Sequence, residues 1–261
     1  MSSKTVLVTG ATGYIGSRLI PALLNKGYRV RAMARSAAGL RNRPWSNHHR
    51  LEVAEADLQE PQSLALALRG CWAVYYLVHS MGTKGGDFVR TDREAATNLA
   101  RAAEQEGLQR IIYLSGLGED HPGLSPHLRS RAEVGRILQQ SGVPTTILRS
   151  AIILGSGSAS FELVRHLTEK LPVMLVPVWI NTRSQPIAVS NVLGYLTDCL
   201  EQPETAGETF DIGGPDILTY GELLRTYAVI AGLSRPIFIK LPFLSPWLLS
   251  KCAQILTPVP A

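Results

Sequence analysis

The chain has 261 residues, 45% hydrophobic and 18% charged, a balance that supports a sizeable core and excludes a disordered chain. Its net charge of +5 and pI near 9.2 are dispersed rather than gathered in blocks, which excludes a nucleic-acid footprint and suits a phosphorylated ligand. Cys71, Cys199 and Cys252 are widely spaced with no C-x-x-C, which excludes a disulfide framework or thiolate metal centre and reads as buried free thiols.

The first stretch, Val6 to Gly16, reads as a buried strand, a glycine turn and the first turn of a helix. Gly10, Gly13 and Gly16 stand at G-x-x-G-x-x-G spacing. Gly10 permits the tight turn, Gly13 lets backbone approach a pyrophosphate, and Gly16 allows close packing of helix on sheet. The helix then turns its free N–H groups and positive dipole end toward phosphate. A helix is expected over Tyr14–Lys26, stopped by Gly27, and a second strand over Arg29–Ala34.

Dinucleotide folds that select NAD put a carboxylate at the end of this strand to hold the ribose hydroxyls. Here Arg35 and Ser36 follow, with Arg31 upstream and no carboxylate beside them. A guanidinium and a hydroxyl suit a 2′-phosphate, so NADP(H) is expected over NAD(H). Leu51–Glu55 is the third strand. Asp57 after it reads equally as a contact to an adenine edge or as the N-cap of a helix over Pro61–Leu68. Ala73–Val78 is a continuous apolar fourth strand, and His79 follows at its carboxyl end, where open α/β sheets bind ligands.

A long helix is expected over Asp87–Glu106, a fifth strand over Arg110–Ser115, a helix over Leu128–Gln140 and a strand over Thr145–Arg149. This alternation predicts an α/β fold, a doubly wound parallel Rossmann sheet over residues 1–155. Residues 156–261 read as separated segments that complete the sheet and form a small C-terminal substrate lobe or lid. They comprise a helix over Phe161–Lys170, an irregular proline-punctuated stretch over Pro172–Pro186, helices over Asn191–Glu201 and Tyr220–Ala231, and strands over Glu208–Ile212 and Ile237–Leu241. No apolar run approaches the roughly 18 residues of a membrane span. The N-terminus enters the first strand without room for a signal peptide, so a cytoplasmic protein is expected.

These segments resemble the short-chain dehydrogenase/reductase superfamily, as an atypical member of its extended branch, which is similar to nucleoside-diphosphate-sugar epimerases. The resemblance covers essentially the whole chain. It rests on Val8–Gly16, Asp57-Leu58, His79, Ser115, Thr146–Arg149, Pro186–Val189, and Phe210–Pro215 followed by Leu218–Tyr220. It implies a cofactor site at Gly10, Thr12, Gly13, Tyr14, Ile15, Gly16, Arg35, Ser36, Asp57, Leu58, Val78, His79 and Arg131. The active family uses Ser to polarise a carbonyl, Tyr to move the proton and Lys to lower the Tyr pKa and hold ribose. Ser115 matches the first. At the Y-x-x-x-K position stands His127-Leu-Arg-Ser-Arg131, with the spacing kept and both functional residues replaced.

Two functions follow from this departure. In one, an NADP-linked oxidoreductase or epimerase-like enzyme acts on a small carbonyl or hydroxyl substrate, with Ser115, His127 and Arg131 catalytic. In the other, the protein holds NAD(P)H without turnover, as redox-sensing regulators and a respiratory accessory subunit in this branch do. Pro242–Leu256 is an apolar tail carrying one charge, Lys251. A truncated longer protein with a missing C-terminal domain is the first expectation for it, and self-association the second.

Overall fold

The computed structural model describes residues 4–79, 88–118 and 123–240. In chain order the elements are β1 (Thr5–Val8), α1 (Gly16–Asn25), β2 (Arg29–Ala34), α2 (Ala38–Arg41), β3 (Leu51–Glu55), α3 (Pro61–Leu68), β4 (Ala73–Tyr76), α4 (Phe88–Gln105), β5 (Arg110–Gly116), α5 (Pro126–Gln139) and β6 (Thr145–Ser150). They continue with β7 (Ile153–Leu154), α6 (Ala159–Lys170), β8 (Val173–Val176), β9 (Arg183–Ser184), β10 (Ile187–Ala188), α7 (Val189–Glu201), β11 (Thr209–Ile212), β12 (Leu218–Thr219), α8 (Tyr220–Ile230) and β13 (Ile237–Lys240). The apolar tail, with Cys252, lies outside the described residues. Among the described residues no helix is long and apolar enough to cross a membrane.

The chain divides into two compact units, Met1–Ser150 with Asn191–Ile212, and Ala151–Ser190 with Gly213–Ala261. The first holds a seven-stranded sheet in the order β11-β6-β5-β4-β1-β2-β3. Every pairing in it is parallel. This is the doubly wound Rossmann arrangement, and the strand order reverses between β1 and β4, where such sheets open a ligand crevice. Side-chain alternation divides the core by face. Leu7, Val74, Tyr76, Ile111 and Tyr113 meet Leu64 and Leu68 of α3, Ala96 and Leu99 of α4, and Val134 and Leu138 of α5. Each fully buried aliphatic side chain here contributes roughly 1.5–3 kcal/mol. On the opposite face the buried Tyr75 donates its hydroxyl to Leu196 O of α7 at 2.8 Å.

Three local devices complete the ends and rungs of α1 and α7. α1 ends in a Schellman motif: Gly27, at φ +94°, donates to Leu24 O at 3.0 Å and Tyr28 to Leu23 O at 3.2 Å. Pro21 inside α1 has no N–H for Ser17 O, and the indole of the buried Trp45 donates to that oxygen instead, at 3.0 Å. At the far end of α7 the buried Arg110 guanidinium donates to Cys199 O at 2.8 Å, to Gln202 O at 3.2 Å and to Thr205 Oγ1. A cation on the last carbonyls of a helix is favourable by charge as well as by hydrogen bonding.

In the second unit α6 and α8 enclose a core of Val164, Met174, Val176, Ile180, Leu223 and Leu224. Ser158 caps α6, and Thr219 with Glu222 forms a capping box on α8. The stretch expected to be irregular contains β8, a 3-10 turn at Val178–Asn181 and β9. β8 pairs with β13 across some sixty intervening residues, and that long-range partner is what makes a strand of a segment with prolines on both sides.

Candidate functional site

The glycine turn is a cradle of backbone. Gly10 adopts φ +63°, and a Cβ on it would stand 2.9 Å from Leu77 O and 3.2 Å from Val78 Cγ2. A Cβ on Gly16 would drive into the Gly10 carbonyl and approach Ala11 Cα to 3.1 Å. What Gly16 protects is therefore the turn's own backbone, rather than the packing of helix on sheet. Thr9, fully buried, ties the ends of β1 and β4 together: its Oγ1 donates to Tyr75 O at 2.9 Å and accepts from Leu77 N at 3.0 Å. Gly13 N–H closes the turn on Gly10 O at 2.9 Å. Among the described residues nothing accepts from the N–H groups of Thr12, Tyr14 or Ile15. The Tyr14 ring lies under the Arg18 guanidinium at 3.9 Å, and its buried hydroxyl has no partner there. Unpaired N–H groups at a helix start, in a turn kept open by glycines, fit a pyrophosphate.

The β2 edge differs in part from expectation. Arg35 and Ser36 are exposed at the end of β2. Arg31 is turned away from them: it holds Glu52 Oε2 at 2.9 Å and donates to Ala67 O and Arg69 O at 2.7 and 2.8 Å. It is thus committed to β3 and the end of α3, not to a phosphate. A carboxylate is present after all, because Glu55 of β3 accepts the Ala37 N–H at 2.6 Å. Asp57 is not a helix cap. Its Oδ1 accepts Gln59 N at 3.0 Å, and the N-cap of α3 is Glu60. Leu58 is buried in the core and offers its carbonyl to Asn98 at 2.9 Å. Arg43 reaches Thr12 O at 3.1 Å, which brings a second guanidinium to the turn.

The third group gathers where β4 and β5 end and α5 begins. Ser125 caps α5 by accepting from Leu128 N, and Pro126 leads the helix. One helical turn separates His127 from Arg131, so Arg131 Nε donates to His127 Nε2 at 3.2 Å, while Nη1 reaches Leu114 O at 3.3 Å. The His79 and His127 rings meet edge to face with centroids 6.4 Å apart. Val78, before His79, is half-buried against the core. His79 is exposed as a residue, yet desolvation of its ring leads the causes that bring its pKa down to about 4, ahead of Arg131 and His127. His127 is depressed in the same way, by burial first and Arg131 second. A permanently protonated guanidinium as donor makes Nε2 the acceptor and leaves the proton of the neutral ring on Nδ1.

Ser115 is buried in β5 and lines a cavity of about 140 Å³ with Arg131, Gly135, Arg149 and Thr209. Ser115 and Arg131 thus share a cavity, and Arg131 joins that cavity to His127 through its Nε bond. Gly116 clears the way for α5, since a Cβ there would lie 2.7 Å from Leu128 Cδ2 and 3.2 Å from Arg131 Cδ.

A family described as NAD(P)H-binding matches residues 10–171. The chain belongs to that NAD(P)H-binding family. Its relatives and structural neighbours lie in the short-chain dehydrogenase/reductase and nucleoside-diphosphate-sugar epimerase superfamily. It is 27% identical to a chloroplastic divinyl chlorophyllide a 8-vinyl-reductase of Zea mays, over 92% of this chain and 62% of the maize protein. The chain therefore spans less than two thirds of that relative's length. It is 23% identical to the photosystem II assembly factor Ycf39 of Trieres chinensis, over 88% of this chain and 70% of that protein. The crystal structure of a nucleoside-diphosphate-sugar epimerase from Staphylococcus aureus shares the fold with a TM-score of 0.77 at 18% identity, covering 95% of this chain and 83% of that one.

Within this NAD(P)H-binding chain, sequence reasoning passed over several residues. Asp92 of α4 is buried and accepts from the buried Ser130 Oγ of α5 at 3.0 Å. Its charge opposes the depression of both histidines. Tyr113 donates to Arg131 O at 3.3 Å, and burial raises its pKa. The signal available for Asp92 was a lone carboxylate on an otherwise alanine-rich helix face, adjacent to Arg93.

Proposed function

We propose that the protein is an NADP(H)-linked oxidoreductase or epimerase-like enzyme acting on a small carbonyl or hydroxyl substrate. The observation that carries this reading is the glycine cradle with its unpaired Thr12, Tyr14 and Ile15 N–H groups, opening on the same strand ends as the His79–His127–Arg131 group. Thr12, Tyr14 and Ile15 hold the pyrophosphate by backbone N–H in the turn that Gly10, Gly13 and Gly16 keep open, and Arg35 and Ser36 take the 2′-phosphate. Val78 and His79 line the nicotinamide side, with Asp57 and Leu58 bordering the adenine. A bound nicotinamide supplies the hydride.

In this reading Ser115 and the Nδ1–H of His127 donate to the substrate oxygen and stabilise the negative charge that develops there. A neutral imidazole serves that role as an electrophile. With Nε2 occupied by Arg131, His127 holds its proton in place, and water provides the one that completes the alcohol. Arg131 positions His127 and binds ribose hydroxyls.

A second reading is favoured by the same hydrogen bond. His127 Nε2 is taken up by Arg131, and no tyrosine stands at its position. A protein that holds NADP(H) tightly and passes its state to a partner needs no proton relay, and one relative bears the name of an assembly factor. NADPH oxidation followed at 340 nm with aldehydes, ketones and quinones decides between the two. Turnover abolished by His127→Ala supports the enzyme. Tight coenzyme binding in calorimetry without turnover on any substrate supports the holding protein.

A further inference from the structure

After β2 the chain turns through Arg35, Ser36 and Ala37 into α2. β3 lies alongside with Glu55 opposite Ala34. From that position the Glu55 carboxylate crosses to the turn and accepts the Ala37 N–H through Oε1 at 2.6 Å. Ser36 Oγ is engaged on the other side by Ala38 N–H at 3.3 Å. Arg35 and Glu55 are both exposed, and among the described residues neither has an ionic partner, including each other. An unpaired cation and an unpaired anion therefore flank one three-residue turn. Asp57, two residues on, is spent on Gln59 N–H, so Glu55 is the carboxylate at this turn.

A ribose held at the end of β2 points its 2′ substituent at such a turn. A bare 2′-hydroxyl finds an acceptor in Glu55. A 2′-phosphate finds Arg35 attractive and Glu55 repulsive, and the Ala37 N–H that a phosphate oxygen would accept is already taken.

We propose that Glu55 is a specificity-determining residue that opposes Arg35: its carboxylate occupies the Ala37 N–H in place of a 2′-phosphate, weakens the preference for NADP(H) and keeps NAD(H) admissible. The inference rests on the coenzyme reading above.

Titration calorimetry of the folded full chain with NADPH and NADH, and with the fragments 2′,5′-ADP and ADP, tests it. Glu55→Gln keeps an acceptor for Ala37 and removes the charge. It raises the NADPH-to-NADH affinity ratio roughly tenfold, the scale of one like-charge repulsion relieved near the surface. Glu55→Ala shifts the ratio the same way, Arg35→Ala shifts it the opposite way, and the fragments follow their parent coenzymes. The Glu55 effect shrinks as salt shortens the screening length. A ratio within about twofold of wild type in both Glu55 variants, with the coenzymes still bound, overturns this proposal and leaves the coenzyme reading standing. Failure of wild type and variants alike to bind any of the four ligands, with melting curves showing intact folds, overturns both.

Discussion

The head of α1 and the head of α5 both face the carboxyl ends of the sheet, yet they are built from different material. The first is backbone: three glycines, a positive φ at Gly10, and N–H groups that no side chain covers. The second is side chains from three elements, with His127 and Arg131 on α5, His79 after β4, and Asp92 brought by α4 to Ser130. A backbone site tolerates almost no added atom but ignores the chemistry of its neighbours. A side-chain site tolerates small changes of volume, but each member's charge is set by the others.

The largest break of this contrast is Gly10→Val. A β-branched side chain at φ +63°, with its Cβ 2.9 Å from Leu77 O, destabilises the fold by roughly 3 kcal/mol or more. An unfolding free energy from urea melts lowered by that amount, with coenzyme heat lost in calorimetry, is the expected result, and an unchanged value would show that the turn relaxes freely.

At the other site Asp92→Ala leaves the buried Ser130 hydroxyl unpaired and costs about 1–3 kcal/mol in the same unfolding assay. Asp92→Asn keeps the shape and removes the charge. Since that charge holds the His127 pKa up, the NMR titration of His127 moves further down in the variant. An unchanged titration would mean that the aspartate's charge does not reach the ring.

Gly116→Ala sharpens the comparison, because its Cβ meets the flexible ends of Leu128 and Arg131 rather than backbone. About 1 kcal/mol is expected in thermal unfolding, well below the cost at Gly10. Equal costs at the two glycines would erase the distinction between the sites.

A smaller effect is the pH dependence carried by His79. Its folded pKa of about 4 lies below the ordinary 6.5, so between these values the unfolded chain binds more protons. This contribution to stability is complete above pH 6.5 and is lost as pH falls toward 4. His79→Gln flattens the profile of urea midpoint against pH across that window. The smallest effect is at Lys26, whose pairs with Asp198 and Glu201 join α1 to α7 at the surface. Lys26→Ala costs about 0.5 kcal/mol in urea, and the loss fades in salt.

The same contrast decides what could be read from the chain alone. β2 and β3 fall where their β-branched and apolar runs put them, at Arg29–Ala34 and Leu51–Glu55. α1 starts two residues later than expected because Tyr14 and Ile15 belong to the turn. Those outcomes depend on neighbours in sequence. Arg31 reads from sequence as part of an anion site because strand alternation alone does not reveal Glu52 and the α3 carbonyls beside it. Glu55 was invisible for the converse reason: the loop it bonds lies 18 residues earlier and is adjacent only once β2 and β3 pair. The substitution of His127 and Arg131 into the family spacing was legible as letters. The locked tautomer follows only from the helical turn that brings the neutral imidazole and the guanidinium together.

Pro21 and Trp45 make one further point. The proline deletes a rung of α1, and the indole of Trp45, 28 positions from the Ser17 carbonyl it serves, replaces it. The tryptophan is therefore not free to vary while the proline remains. Trp45→Phe strands a carbonyl only while the proline remains, and Pro21→Ala restores the donor that makes the tryptophan dispensable. The two substitutions are epistatic, and a lineage that loses the ring before the proline pays a penalty that the reverse order avoids.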